Sequence, residues 1–447
     1  MKLHPITTTL LPILIGLVFS AGAQTPLLEA YVQEGLQQNN LVRLRQLQYQ
    51  QSLAAIDEAR GLSLPNVGLN GSYTLAAGGR SIDLPIGDLL NGVYSTLNQL
   101  TQTENFPQVE NVKEQLSPNN FYDLKVRTTY PVFNPDVKYN RQIKEQSASL
   151  KELDIAVQQK ELSRDIRMGY FQYLQARQAV KIYSDALVLL RESQRVNQKL
   201  FDNGMANYTV VTRAKNEITK VEAQLQDAEN IARNAGAYFN FLLNKSLDTP
   251  IIEDSTITNI YYPFPKIVEG NPGQREELTQ LVLANGLQET VVKWQQTYKL
   301  PKVSAFLDLG SQAYNFQVGN GSFYALGGIS IDLPIYSGNR NLAKIKQAEL
   351  EVAATQARKA YVSNQLTLQW QTSLRSYQSA LEVYQSTRGQ VDSARRYFQD
   401  IEKRYREGQA IYIEYLDARN ELTQAQLQQS IQLLNVWMRW AEMERAR

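Results

Sequence analysis

Residue types that carry out acid–base, nucleophilic or metal chemistry are nearly absent from this sequence. Its 447 residues include one histidine, His4, and no cysteine. His4 lies within residues 1–23, which have the three parts of a secretory signal peptide: a basic start, a short apolar core and a small-residue cleavage site (Lys2, Leu10–Phe19 and Ala21–Ala23). Removal of this peptide excludes Ser-His-Asp and Cys-His catalysis, zinc bound by histidine or cysteine, and disulfide bonds. We therefore expect no enzyme activity, no metal site and no cofactor. The alternative interpretation of residues 1–23 is an N-terminal anchor helix.

The charge and the hydropathy exclude two further classes of protein. The chain has 46 basic and 44 acidic residues, so its formal net charge of +2 gives no electrostatic basis for nucleic-acid binding. Its mean hydropathy of −0.38 is too polar for a bundle of membrane helices. On length alone, either one large domain or several smaller ones are possible.

An internal repeat organises the chain, at an offset of about 204 residues. Phe201–Tyr208 aligns with Tyr405–Tyr412, and Pro131–Phe133 aligns with Pro334–Tyr336. The first copy carries an insertion within residues 77–120. Each copy therefore has the same order of elements: a helical segment, a pair of strands, a very long helix, a tight turn and a return helix.

A second alignment competes with this one. Ser81–Ile86 is identical to Ser330–Ile335. Pairing these two fragments leaves too few residues after Pro65 for two strands and a turn, and it breaks the offset downstream. We interpret the identity as chance or as a duplicated fragment in a loop.

The repeat divides the chain into four segments. Residues 1–23 are the signal peptide, and residues 246–273, which contain four prolines, are a linker. The first repeat is 24–245, with strands at about 66–76 and 121–132 and a helical hairpin at about 137–245. The second repeat is 274–447, with strands at about 302–314 and 323–335 and a helical hairpin at about 340–446.

The predicted strands alternate strictly between apolar and polar residues. In residues 122–132, Leu124 and Val126 lie on one face while Asp123, Lys125 and Arg127 lie on the other. A soluble sheet gives the same alternation, but segments of about ten to thirteen residues in a secreted chain also suit strands that cross a bilayer. Four strands cannot close a barrel, so spanning strands require an oligomer. Two copies supply eight strands, which close a barrel whose lumen is filled by side chains. Three copies supply twelve strands, which leave room for a channel.

The predicted helices are too long for a globular domain. No proline occurs between Val137 and Phe201, which gives a helix of roughly 95 Å. Apolar and small residues recur in both copies with the alternating spacing of four and three residues that is typical of coiled coils. Each copy is therefore an antiparallel hairpin that turns at Gly204 or Gly408, since glycine suits a helix end that needs a positive φ.

Taken in order, these features resemble the TolC-like outer-membrane efflux channel family over nearly the whole mature chain. The local motifs that carry the resemblance are Asn39–Leu41, Leu64–Pro65, Pro131–Phe133, Pro334–Tyr336, Ser337–Arg340 and the two tip glycines. Asn134–Asp136 departs from the family pattern. The resemblance implies a mainly α fold with transmembrane β, in which a homotrimer forms a twelve-stranded barrel in the outer membrane, in contact with its lipid, and a helical tunnel in the periplasm. It also implies a periplasmic adaptor and an inner-membrane pump of the RND, ABC or MFS class.

The resemblance places a gate near the second tip. It implies that Glu414 and Asp417 contribute to an acidic ring that attracts cations, and that Tyr405 takes part in closed-state links. The alternative for the two acids is solvated charge near a helix N-terminus. The family's basic gate residue and its acidic partner in the first copy have no counterpart here, because their positions hold Ala410 and Val210. Arg404, Arg406 and Arg213 are then the candidate substitutes.

The resemblance also assigns the hairpin tips and the barrel interior. The tips, which dock the adaptor, hold Lys199, Gly204, Arg404 and Gly408, although simple helix termination explains the same residues. The barrel lumen holds Asp123, Lys125, Arg127, Asp308 and Asp332. Their mixed signs predict weak ion selectivity. The insertion is expected outside the cell and contains a short amphipathic helix or only a variable loop.

The sequence thus predicts a passive outer-membrane duct for small molecules, whether drugs, toxic compounds or metal ions. The alternative is the outer-membrane duct of a type I protein secretion system. A soluble periplasmic coiled-coil scaffold is a third interpretation. The sequence does not name the transported substrate.

Overall fold

The computed structural model describes residues 26–447, so the predicted signal peptide lies outside the described residues. The chain is mostly helical and divides into two compact units. The sheet unit comprises Gln51–Ala148 and Ala284–Ala354. The helical unit comprises the described residues up to Gln50 together with Ser149–Leu283 and Thr355–Arg447. The predicted fold class, with two long hairpins and four long strands, is confirmed.

Four antiparallel strands form the main sheet of the sheet unit. They are β1 (Asn66–Thr74), β4 (Phe121–Phe133), β5 (Lys302–Tyr314) and β6 (Phe323–Asp332), in the order β1-β4-β5-β6. β6 ends two residues before Pro334, which has no backbone N–H to donate to the ladder. β4 continues through Pro131 at the cost of a register shift between Pro131 and Phe133. Within the described residues, β1 and β6 each pair on one side only.

One face of this sheet is apolar and exposed. The register aligns Leu69, Val126, Leu309 and Ala325 as one row across all four strands. Leu69 and Ile329 each remain 71% exposed. Within one chain the apolar side chains of the sheet therefore cover no core.

The insertion folds as a small substructure. It contains β2 (Ser81–Leu84), α3 (Ile86–Thr101) and β3 (Val112–Gln115), and β2 pairs antiparallel with β3. Asn91 exchanges hydrogen bonds with the backbone N–H and C=O of Val109, at 2.8 and 2.9 Å. Asn98 does the same with Phe106, at 3.0 and 2.8 Å. The predicted amphipathic helix is present, and two asparagines fasten it to the chain that follows.

Seven further α-helices complete the fold of the described residues. α1 (Pro26–Gln38) and α2 (Asn40–Gly61) precede the first repeat's strands, and α6 (Glu276–Gln296) precedes those of the second repeat. The two hairpins are α4 (Pro135–Asp202) with α5 (Tyr208–Leu242), and α7 (Arg340–Arg406) with α8 (Tyr412–Ala446). The boundaries between the two units fall inside α2, α4, α6 and α7. Among residues 26–447, no helix combines the length and the apolar character needed to cross a membrane.

The core of the helical unit follows the predicted seam and extends beyond it. In α7 the buried seam residues are Leu366, Trp370, Tyr377, Ala380, Tyr384, Thr387, Val391, Ala394, Phe398 and Ile401. In α4, Tyr170 and Phe171 are also fully buried, although they lie off the seam. The Tyr170 ring packs against Tyr31 of α1, with ring centroids 5.6 Å apart. The first long helix thus needs a wider apolar face because α1 packs on it.

Tyrosine hydroxyls hold the linker between the repeats. Tyr377 donates a hydrogen bond to the carbonyl oxygen of Pro265 at 2.8 Å, and Tyr384 donates one to that of Ile260 at 3.1 Å. Tyr170 donates to the carbonyl oxygen of Ile252 and accepts from the backbone N–H of Asp254, at 2.9 and 2.8 Å. Burial raises the pKa of Tyr377 to about 12, so its hydroxyl stays protonated and able to donate at neutral pH.

A buried charge network joins the two repeats inside the helical unit. Arg445 of α8 donates from Nε to Glu161 of α4 at 2.9 Å and also pairs with Glu277 of α6. Arg275 donates to Glu277 at 2.6 and 3.2 Å, and to Gln369 of α7 at 2.8 Å. Hydrogen bonds from the two arginines outweigh the effect of burial and lower the pKa of Glu277 to about 2. The two arginines, together with Glu277, therefore connect α4, α6, α7 and α8.

Candidate functional site

The two tips turn through the same backbone motif. Gly204 and Gly408 have φ angles of +72° and +74°. In the first turn the N–H of Met205 donates to the carbonyl oxygen of Leu200, and in the second the N–H of Gln409 donates to that of Arg404, both at 2.8 Å. These bonds satisfy carbonyl groups that a helix end otherwise leaves unpaired. The predicted positive φ at both glycines is confirmed.

The tip residues expose apolar side chains beside a few charged ones. Met205 is 77% exposed, and Tyr208, Ile411 and Ile413 are also exposed. Lys199 is exposed, whereas Arg404 pairs with Asp400 of its own helix at 3.2 Å. The surface of the tips therefore mixes exposed apolar side chains with charged and polar ones.

The predicted acidic pair forms part of a longer row. Glu414 and Asp417 are both exposed on α8 and lie three residues apart. Glu421, which the sequence analysis missed, is exposed and lies four residues further on the same face. The Glu414 carboxylate also accepts from the backbone N–H of Ile411 at 3.1 Å. Among residues 26–447, none of the three carboxylates has a basic partner within ion-pair distance.

Tyr405 lies under the tip in a layer of aromatic rings. Its hydroxyl donates to Oδ1 of Asn197 on α4, and its ring centroid lies 5.2 Å from that of Tyr415 and 5.8 Å from that of Tyr412. Burial raises the pKa of Tyr405 and of Tyr415 to about 12. Tyr405 therefore links the second hairpin to the first through a neutral hydroxyl.

A buried arginine lies in the same region, and the sequence analysis did not identify it. Arg419 is 2% exposed, and its Nη2 lies 3.2 Å from Oε1 of Glu217 on α5. The candidate substitutes Arg404 and Arg406 instead pair with Asp400 and Glu402 of their own helix, at 3.2 and 2.8 Å. Arg419 is thus the arginine of the second hairpin that forms an ion pair with the first hairpin near the tip.

The polar face of the sheet brings together four of the five predicted lumen residues. Arg127 donates two hydrogen bonds to Asp308, at 2.7 and 2.6 Å. Lys125 pairs with Asp123 at 2.5 Å, and Asp123 also accepts from the hydroxyl of Tyr324 at 2.8 Å. Each basic group on this face thus has an acidic partner beside it.

Asp332 does not join these pairs. It is exposed, and its register partner Lys302 pairs instead with Asp136. The described residues contain no group of three side chains suited to holding a metal ion.

Comparison with known proteins places this geometry in a family. The sequence model of the outer membrane efflux protein family matches residues 31–244 and 278–442. The chain belongs to that family. Both copies of the internal repeat carry part of the match. No curated protein matches the chain by sequence.

Solved structures of outer-membrane proteins share the fold of this efflux protein. The outer-membrane channel OprN is 18% identical, with a TM-score of 0.72, and the match covers 94% of this chain and 90% of OprN. VceC from Vibrio cholerae is 16% identical, with a TM-score of 0.70 and coverage of 94% and 95%. The CmeC outer membrane channel of Campylobacter jejuni is 15% identical, with a TM-score of 0.72 and coverage of 94% and 85%.

The acidic row of this efflux protein gives a first prediction. Neutralising it with E414Q, D417N and E421Q together will weaken block by a divalent cation in planar bilayers by roughly two orders of magnitude, since each of the three lost charges removes about 1 kcal/mol of attraction. The matched control is D202N, which neutralises an exposed acid beside the other tip. Unchanged block in the triple variant contradicts a role for these carboxylates in cation binding.

The second tip gives another prediction. G408V places a β-branched side chain at a φ of +74°, which costs about 1–2 kcal/mol, and it will lower the thermal midpoint and the affinity for an adaptor. G389A is the control, because Gly389 has open space around its Cα and no positive φ within α7. A G408V protein that captures the adaptor as well as the control excludes the tip as a docking surface.

Proposed function

We propose that this protein is the outer-membrane channel of a tripartite efflux system, a passive trimeric duct that carries small molecules to the exterior. One observation carries the proposal: the sheet exposes an apolar row across all four strands, while its opposite face holds paired charges. This combination suits a wall with lipid on one side and water on the other. Membership of the outer membrane efflux protein family supports it.

The open edges of the sheet support the trimer. An unpaired edge in lipid leaves backbone N–H and C=O groups without partners, so β1 and β6 must each meet another strand. Three copies joined edge to edge supply twelve strands, enough for a barrel with an aqueous lumen. The division into a signal peptide, two repeats and a linker at residues 246–273 is part of the same proposal.

The charged residues then act on the solute path. The pairs Arg127–Asp308 and Lys125–Asp123 line the barrel and cancel each other's charge, which gives weak ion selectivity there. The row of Glu414, Asp417 and Glu421 faces the periplasmic entrance and attracts cations. The gate contains Tyr405, and the Arg419–Glu217 pair replaces the links that Ala410 and Val210 cannot make.

The same architecture implies partners and a location. The barrel lies in the outer membrane in contact with its lipid, and the helical hairpins extend into the periplasm. A periplasmic adaptor docks at the exposed apolar tips, which include Met205 and Ile411. An inner-membrane pump of the RND, ABC or MFS class supplies the energy, and nucleic acid has no part. The substructure inserted at residues 77–120 lies outside the cell.

Two experiments test the proposal. Membrane fractionation with heat-modifiable migration of a trimer on gels is expected, and a soluble monomer contradicts it in favour of a periplasmic scaffold. Deletion of the gene is then expected to sensitise cells to drugs, toxic compounds or metal ions. Loss of a secreted polypeptide without such sensitivity favours the alternative, a type I protein secretion duct.

A further inference from the structure

The helix α3 of the insertion is covered by its own chain on one side only. On this inner side Leu90, Tyr94 and Leu97 are half-buried. The Tyr94 ring packs against that of Phe106, with ring centroids 5.7 Å apart. The hydrogen bonds of the two asparagines hold the same side to the segment that follows. The inner side of α3 is therefore already occupied.

The outer side of α3 carries an exposed apolar stripe. Leu89 is 71% exposed and Leu100 is 77% exposed, and Val93 is also exposed. Because successive residues of a helix lie about 100° apart, these three share one face with two small residues. We define the outer stripe as Leu89, Gly92, Val93, Thr96 and Leu100. A helix that is apolar on both sides is ordinarily buried on both, so we expect another molecule to cover this stripe.

The charges of the insertion disfavour a lipid surface as that molecule. Asp88 is the one charged residue among the 16 residues of α3. Residues 77–120 as a whole hold five acidic and two basic residues. Helices that lie on a membrane surface carry lysine and arginine beside their apolar face, because anionic lipids attract basic groups. No such residue flanks the outer stripe within α3, so a protein surface fits it better than lipid does.

Gly92 indicates that the covering surface is a helix. Glycine inside a helix is destabilising by about 1 kcal/mol relative to alanine. A side chain at Gly92 would meet no other part of the described chain, so the fold of one copy does not require a glycine there. Small residues four positions apart, as Gly92 and Thr96 are, let two helix backbones approach closely. The outer stripe therefore has the surface of a close contact between helices.

The place of the insertion in the sheet indicates which helix this is. Only residues 75–80 separate the edge strand β1 from β2 of the insertion. In the proposed trimer, β1 of one copy meets β6 of the next, so the insertion grows out of the junction between copies. Three insertions then rise at one end of one barrel, and each outer stripe has two identical stripes near it. The second copy is thus continuous with the surface on which the trimer itself depends.

We propose that the three α3 helices of the trimer pack against one another through the outer stripe, with Gly92 at the closest approach. The partner is a second copy of this chain, and the contact narrows the outer mouth of the duct. This inference rests on the proposed function, because it requires the trimer.

The absence of cysteine from the sequence allows a direct test with single-cysteine variants of the full chain. V93C places a thiol on the outer stripe. S95C is the matched control, because Ser95 is also exposed on α3 but points about 160° away from Val93. Trimers in isolated outer membranes are oxidised with copper phenanthroline, then heated and separated on non-reducing gels. Disulfide-linked dimers are expected for V93C and not for S95C, since a disulfide requires Cα atoms within about 7 Å.

Two further measurements address burial and close approach. In intact cells, a maleimide-linked polyethylene glycol is expected to label V93C about tenfold more slowly than S95C, because labelling requires the contact to open. Adding G92L to V93C is expected to abolish the disulfide, because leucine side chains at this position hold the helix backbones apart.

Three outcomes overturn the inference. Equal dimer formation in V93C and S95C shows collision of mobile segments without a defined contact. Labelling of V93C as fast as that of S95C shows that the stripe is open to water. Slow labelling of V93C without any disulfide assigns the stripe to lipid or to another protein. Heat-modifiable trimer is present in all three cases, so the proposed function stands. Absence of the trimer from the wild type contradicts the proposed function itself, and the inference fails with it.

Discussion

Replacing Ile329 by lysine will prevent the chain from accumulating as a trimer in the outer membrane, whereas S330K will not. Ile329 and Ser330 are adjacent in β6 and point to opposite faces of the sheet. Ile329 belongs to the apolar face and is 71% exposed within one chain. A lysine facing the bilayer midplane destabilises the chain by about 2–4 kcal/mol, and the substitution occurs three times in a trimer. The lysine of S330K lies on the polar face, where it meets water.

The measurement is the amount of heat-modifiable trimer in isolated outer membranes. Equal expression of both variants before fractionation is the control. Trimer levels that are the same for I329K and S330K contradict the assignment of the two faces, and loss of trimer in S330K alone reverses it.

The largest effect expected in the helical unit is that of R445A. Arg445 is buried and bonds to both Glu161 and Glu277, so its removal takes one basic partner from each carboxylate and leaves Glu277 with Arg275 alone. Breaking a buried pair from one side costs about 3–5 kcal/mol. The free energy of unfolding in urea, followed by helical circular dichroism, is expected to fall by this amount. The control is R439A on the same helix, which removes an exposed pair with Glu442 at 2.8 Å and costs less than about 1 kcal/mol.

The same network predicts how stability depends on pH. The pKa of Glu277 is lowered from 4.5 to about 2 in the folded chain. A lowered carboxyl pKa contributes stability above the unfolded pKa, and this contribution is lost as pH falls from about 4.5 towards 2. The slope of stability against pH in this range is expected to be shallower in R445A than in the wild type. An identical slope in both proteins excludes Glu277 as a contributor.

The fold was largely predictable because its signals are periodic. The spacing of four and three residues from Leu366 to Ile401 required a long helix with one buried seam, and strict alternation around Leu124 and Val126 required strands. Neither pattern depends on which distant segment of the chain packs against the element. Tyr170 and Phe171 were missed for the opposite reason, because their burial depends on α1, and packing between distant segments leaves no period in the sequence.

The candidate site was less predictable. Glu414, Asp417 and Tyr405 were identified through the resemblance, but Arg419 was not, since a charged residue is ordinarily expected to be exposed. A signal for it existed, because Arg419 follows Tyr412 by seven residues and Tyr415 by four, which places it on the buried face of the helix. The hydrogen bonds that hold the linker were likewise not predictable, since tyrosine hydroxyls reach backbone carbonyls that only the folded chain places beside them.

The unpaired edges of β1 and β6 have a consequence for how the protein reaches its final state. Until the proposed trimer forms, each chain carries two rows of backbone donors and acceptors that can pair with any exposed strand, including that of an unrelated protein. Completion of the sheet therefore depends on the concentration of protomers, and aggregation competes with it. Slow synthesis and a holding chaperone in the periplasm should raise the yield of this chain more than they raise the yield of an outer-membrane protein whose barrel closes within one polypeptide.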